Sequence, residues 1–325
     1  MKNYIIFTVK IIITILTIYW VYDRYQYNFE QVADIVTNPK FFFFFFSLTF
    51  LKLLITTFRY HLLLPIEFSL QSFKKVLMTS WASTFISNIA PSGIFGDIYK
   101  IKKVSDDNTE LSKDQTLHAS ILVKSYTLFS YVITAFIASL FLNTSHIEYI
   151  VITRIYLGIF CVLIMLVPFF IELALKYSLT NYPSAQELES NTFHSNFFKR
   201  RFQHLMQFYL IMKGNHFYFF RMTISSILIQ FITVFIFQHI LNNIAPEFSF
   251  SLIEAAFHFT YSYFISTLPI SVGGLGVGHI AFAETLSSVG YKQGADIFTI
   301  FYILSSIFNI VGGIPFIYGL FRKNQ

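Results

Sequence analysis

Six apolar runs, Tyr4–Tyr22, Phe41–Phe58, Thr116–Leu142, Tyr149–Leu175, Met222–Leu241 and Ile297–Leu320, are each long enough to cross the hydrocarbon of a bilayer. No water is available there to satisfy the backbone, so every N–H and C=O must be paired within the protein, which makes the runs helices. Two shorter apolar runs, Val76–Ala90 and Leu252–Leu268, lead straight into stretches that cannot continue as plain helix. One is Asn88–Lys100 (NIAPSGIFGDIYK). The other is Leu268–His279 (LPISVGGLGVGH), in which five of twelve residues are Gly or Pro. Irregular backbone at membrane depth survives only where protein, water or a ligand covers it, so both breaks are candidate sites.

Charge supports the same reading. Only 12% of the 325 residues are charged, against about 25% in a soluble domain, and 55% are hydrophobic. The net charge of +6 does not point to nucleic acid, because the basic residues cluster in loops between apolar runs. Placing the N-terminus inside and letting the two short runs dip in and return gives sixteen Lys and Arg on the cytoplasmic side and three outside. A full crossing by Val76–Ala90 would divide Lys74 and Lys75 from Lys100, Lys102 and Lys103. The first run resembles a signal peptide but is too long and lacks a cleavage site, so it is expected to remain as the first span.

The expected fold is therefore an all-α polytopic membrane protein with about six full transmembrane helices and two opposed re-entrant helical hairpins, at about 76–97 and 252–290. Two discontinuous elements of opposite orientation suit an inverted-repeat architecture with a binding region between them. Residues 1–325 form one integral membrane domain, with both termini cytoplasmic. The run Phe41–Phe46 reads as a bulky lipid-facing surface. The loop at about 176–221 carries basic and aromatic residues that suit either a segment lying on the anionic leaflet or a plain positive-inside anchor. It has no room for a soluble catalytic domain.

Candidate binding residues come from the breaks and the cations near them. Pro91 ends a helix, and if a helix restarts after it, Asp97 and Lys100 share a face. Lys100 could then hold a lipid phosphate and Asp97 could hold Lys100, or Asp97 could simply cap the new helix. Lys124 lies within a span, facing a cavity or snorkelling. In the second break, Gly273, Gly274, Gly276 and Gly278 expose backbone N–H groups suited to an anion, and also allow close helix packing, and Pro269 and Ser271 beside them complete the candidate binding residues. His279 could contact a phosphate or be structural, and Glu284 is its candidate partner. Glu254 and His258 fall on one helical face that could line the cavity, while Lys52 and Arg154 are expected to snorkel or pair. No metal-ligand spacing, P-loop or nucleophile elbow occurs, a lone Cys161 excludes an internal disulfide, and neither enzyme activity nor a cofactor is expected.

At these residues the chain resembles the lysylphosphatidylglycerol synthase transmembrane-region family, a flippase-like membrane domain. Phe95-Gly96-Asp97-Ile98-Tyr99-Lys100 approaches the family's G-G-D-x-x-[RK] pattern, and Val123-Lys124 fits the basic residue of its next span. Leu268 to Val277 matches its L-P-I-S-x-G-G-L-G-V, and Gly290 to Asp296 and Gly312-Gly313 match stretches around the final span. Phe95 replaces the first glycine of the first pattern, and Gly278-His279 replaces an Arg-Glu pair at the end of the second. The resemblance implies lipid handling at the inner (plasma) membrane: an anionic phospholipid or polyprenyl-linked lipid bound by its headgroup and moved between leaflets. In bifunctional relatives a separate cytosolic domain performs the aminoacyl transfer. The alternative is a non-catalytic accessory subunit that holds a glycosyltransferase or lipid-modifying enzyme at the membrane.

Overall fold

The computed structural model describes residues 2–24, 29–90, 93–108, 111–142, 151–163, 216–268 and 270–321. Among them every regular element is helical. The helices are α1 (Lys2–Arg24), α2 (Phe29–Thr37), α3 (Pro39–Leu62), α4 (Leu70–Ile89), α5 (Ile94–Asp106), α6 (Lys113–Phe141), α7 (Val151–Leu163), α8 (His216–Ile244), α9 (Leu252–Ser266), α10 (Val277–Ser287), α11 (Gly294–Val311) and α12 (Gly313–Phe321). Four stretches, Pro39–Leu62, Lys113–Phe141, Phe220–Ile244 and Gly294–Gly319, are long and apolar enough to cross a membrane. They coincide with four of the six expected spans. α1 covers a fifth, and Tyr149–Leu175 is described only over α7.

Local chemistry sets the helix starts. The Asn38 side chain accepts from the N–H groups of Lys40 and Phe41, and Pro39, which has no N–H to leave orphaned, opens α3. Ser69 with Ser72, Ser112 with Gln115, and Ser251 with Glu254 close reciprocal capping boxes on α4, α6 and α9. Glu254 is thus spent on a helix start. It does not line a cavity with His258, which is fully buried between the ring edges of Phe250 and Phe257.

The main core gathers α2, α3, α8, α9, α10 and α11 around Phe45, Phe237, Phe259, Phe282 and Phe301. Helical periodicity divides the phenylalanine run: Phe43 is 73% exposed, while Phe41 and Phe45 are buried, Phe41 against His239 and Phe45 against Phe301. The run is half core and half outer surface, not the uniform lipid face its composition suggests. A second core, of Tyr60, Val76, Val104, Ala119, Val123 and Met222, joins α3, α4, α5, α6 and α8. Lipid tails are as apolar as these side chains, so close packing and polar contacts hold such a bundle together more than hydrophobicity does.

Close approach is visible at two glycines. A Cβ on Gly96 would overlap the Ser83 carbonyl and the Ser87 hydroxyl, so only glycine lets α5 fold back on α4. A Cβ on Gly312 would strike the Trp81 carbonyl, and this glycine divides α11 from α12 where α12 settles on α4. α6 and α9 run antiparallel: Phe257 packs with Ala135 and Ala138 while, further along α9, Tyr263 meets Tyr131.

Candidate functional site

The first break delivers the charged residues. α5 restarts at Ile94 behind Gly93, whose carbonyl accepts from the Ser87 hydroxyl at 3.0 Å. Asp97 lies in the first turn of α5, where a helix N-terminus favours a carboxylate, and is ion-paired with Lys124 of α6. Lys100, one turn on, does not hold Asp97. Its ammonium lies over the ring of Tyr60, 4.4 Å from the centroid. The Tyr60 hydroxyl donates to the Thr116 carbonyl at 3.3 Å, so the ring that receives the cation is itself fixed to α6.

Next to Tyr60, Arg59 is 1% exposed. Its guanidinium donates to the Ser226 hydroxyl at 2.8 Å, the Thr127 hydroxyl at 2.7 Å and the Val123 carbonyl at 3.2 Å. No carboxylate pairs with it among the described residues, and its Nε has no partner. Gln230, one helical turn beyond Ser226, is buried with neither end of its amide hydrogen-bonded among the described residues. Three cations and one carboxylate therefore lie where α3, α5, α6 and α8 meet, and only Lys124 pairs with the carboxylate. A buried cation without a counter-ion is costly, and inside a membrane protein it commonly marks a ligand or ion path.

By position Arg59 is the basic residue that closes the Phe41–Phe58 run, one of the sixteen Lys and Arg expected on the cytoplasmic side. The signal that it belongs to the interior is the absence of a breaker until Pro65: α3 runs on through Arg59, Tyr60 and His61, all buried.

The second break is organised differently. Gly274 and Gly276 take φ of +77° and +79°, a region that L side chains rarely enter. A Cβ on Gly274 would lie 2.7 Å from the Ser266 carbonyl, and one on Gly276 would overlap Thr17 of α1. Gly276, one of the glycine donors expected to face an anion, and two donors beside it are spent within the fold. Val272 N–H donates to the Thr14 hydroxyl at 2.9 Å, Leu275 N–H to the Val272 carbonyl at 3.1 Å, and Gly276 N–H to His279 Nδ1 at 3.1 Å. With Nδ1 accepting, His279 Nε2 carries the hydrogen and donates to the Thr299 hydroxyl at 3.0 Å. His279 thus braces the turn against α11. Glu284 is not its partner and instead lies 4.0 Å from Arg24. Gly273 is exposed beside the Tyr302 hydroxyl, and Ser271 is buried with its hydroxyl unpartnered among the described residues. Pro91 and Pro269 lie outside the described residues.

Among the described residues the two breaks share no substantial contact. α5 lies on α4 and α6, whereas residues 272–287 lie on α1, α9 and α11. Their link is α6, which carries Lys124 toward α5 and Tyr131 toward Phe259 and Tyr263 of α9. Arg154 donates to the carbonyls of Ser139 and Leu142, tying α7 to the far end of α6.

Fold and site together define a polytopic helical membrane protein with a cation-rich interior at one end of its bundle. Residues 7–312 match the family model described as the lysylphosphatidylglycerol synthase TM region, and the chain belongs to that family. Membership indicates a lipid-related function in the membrane. No curated protein and no solved structure matches the chain.

Proposed function

We propose that this protein binds the headgroup of an anionic phospholipid or polyprenyl-linked lipid at the Arg59–Lys100–Lys124 cluster and moves it between the leaflets of the inner membrane. The observation that carries the reading is the state of Lys100. Its ammonium has an aromatic ring but no carboxylate or hydrogen-bond acceptor among the described residues, so its donors are open to a phosphate.

The division of labour follows from exposure and partners. Arg59 is held by three neutral acceptors and supplies a fixed positive field in a low-dielectric setting. Lys124, with 58% of its side chain exposed, can exchange Asp97 for a lipid phosphate. Asp97 then offsets part of the excess charge when the site is empty. A headgroup entering beside α5 meets cations without an open aqueous pore. This reading places both termini in the cytoplasm, adds α1 and the segment containing α7 to the four apolar spans, and treats α4–α5 and α9–α10 as re-entrant hairpins. The chain acts without catalysing a covalent step, and a glycosyltransferase or lipid-modifying enzyme would be a separate partner.

The test is reconstitution into liposomes with dithionite-quenchable anionic lipids. Wild-type protein should speed the loss of inner-leaflet fluorescence. Lys100→Gln and Arg59→Met, each shown to be folded, should slow it by roughly tenfold or more, since a charge-assisted hydrogen bond is lost. Unchanged exchange in both variants would remove the site, and no exchange by the wild type would favour the accessory-subunit reading.

A further inference from the structure

On the face of α5 next to the one that carries Lys100 lies a cavity of about 840 Å³ between α4, α5 and α12. Its size falls in the range of ligand pockets, about 300–1,000 Å³. The face of α5 carrying Asp97, Lys100 and Val104 meets α3 and α6, whereas Tyr99, Lys103 and Asp107 line the cavity.

The lining is graded from end to end. α4 and α5 form an antiparallel hairpin in which Gly96 closes on Ser83 and Ser87, and α12 begins beside Trp81, where Gly312 meets its carbonyl. One end of the cavity therefore gathers Gln71, Lys74, Lys75, Lys103 and Asp107, and the other gathers Met78, Trp81, Val311, Ile314 and Pro315. Lys103 is paired with Asp107 at 2.8 Å, which leaves Lys74 and Lys75 without a carboxylate among the described residues. Trp81 is fixed by donating to the Phe308 carbonyl at 3.3 Å and by stacking on Phe308 at 5.5 Å. Tyr99 packs edge-on against Phe316. A basic mouth over a firm apolar floor matches the two ends of one molecule.

We infer that this groove holds a resident anionic phospholipid, with its phosphate on Lys74 and Lys75 and an acyl chain along Trp81, Val311 and Ile314. The inference does not rest on the translocation reading, because none of these residues belongs to the Arg59–Lys100–Lys124 cluster. The lipid stays bound and cements α12 to α4.

Native mass spectrometry of the detergent-solubilised full chain, with phosphatidylglycerol or phosphatidylcholine added, tests it. The wild type should retain one phosphatidylglycerol at least about tenfold more tightly than phosphatidylcholine. Lys74→Gln with Lys75→Gln should abolish that preference. Gly319→Leu should displace the lipid by filling the groove, since a Cβ there meets nothing closer than the Tyr99 hydroxyl at 4.0 Å. Lys124→Gln should keep the adduct, which separates this site from the proposed transport site. Inorganic phosphate should not compete at matched concentration, because it cannot use the apolar floor. Equal retention of the two lipids, an adduct that survives both the lysine and the Gly319 changes, competition by free phosphate, or a dimer in place of the adduct would each overturn the inference.

Discussion

Lys124 of α6 is ion-paired with Asp97 of α5, and the two residues differ in exposure: 58% of the lysine side chain is accessible against 19% of the aspartate. The contact joins the restarted helix of the first break to a membrane-length helix. Exposed pairs contribute little to stability, about 0–1 kcal/mol. Lys124→Gln should therefore change thermal stability only slightly while reducing lipid exchange in liposomes. Interchanging the two, Asp97→Lys with Lys124→Asp, should preserve the fold but not the exchange, since the cation then stands on α5. Equal losses of melting temperature and exchange across these variants would assign the pair to architecture alone.

Arg59 combines burial with three donated hydrogen bonds. Lysine cannot span Ser226, Thr127 and Val123 with one ammonium, so Arg59→Lys should lower both melting temperature and exchange. Arg59→Ala should be the most damaging, because it removes the three hydrogen bonds and also leaves a void where the guanidinium stood. Arg59→Met fills the space without the charge, and should lie nearest the wild type in melting temperature while remaining inactive. An active Arg59→Met would show that the buried charge is dispensable to transport.

His279 gives the opposite expectation. Both ring nitrogens are occupied, by Gly276 N–H and the Thr299 hydroxyl. His279→Leu should lower the melting temperature by leaving Gly276 N–H unpaired in a turn whose φ of +79° already depends on glycine. Lipid selectivity in the folded fraction should not change. A variant with unchanged melting temperature and altered headgroup preference would instead mean that the ring reaches the lipid.

Much of this arrangement was legible from local chemistry, because hydrophobic length and Gly/Pro breaks are properties of contiguous sequence. The first break, the second break and the residues Asp97, Lys100 and Lys124 were all visible that way. The partner of Asp97 was not. Lys100 at i, i+3 was the near choice, yet α5 turns it toward Tyr60, and the carboxylate pairs 27 residues away. Arg59 was hidden for a related reason: counting cations by side treats any basic residue at the end of an apolar run as loop, and α3 does not stop there. From sequence alone the glycines of the second break suit donation to an anion. The structure uses several of the neighbouring N–H groups for Thr14, Val272 and His279, contacts that depend on where α1 and α11 lie.

Two glycines at one helix start separate packing from flexibility. Gly93 and Gly96 stand three residues apart at the start of α5, and neither has a positive φ. A methyl group on Gly93 meets nothing within 4 Å, so Gly93→Ala should be nearly neutral. A methyl group on Gly96 runs into the Ser83 carbonyl and the Ser87 hydroxyl. The hydroxyl can rotate or be removed, but the carbonyl belongs to the α4 backbone and cannot move without shifting the helix. Gly96→Ala should therefore cost about 1–3 kcal/mol, as overpacking does, and Ser87→Gly should restore only part of it. Displacing α5 also moves Asp97 from Lys124 and Lys100 from Tyr60, so lipid exchange should fall further than the loss of folded protein explains. Melting curves and exchange rates on the same preparations separate the two effects, and a Gly96→Ala protein with both values at wild-type level would show that α5 does not need this contact to hold the cluster.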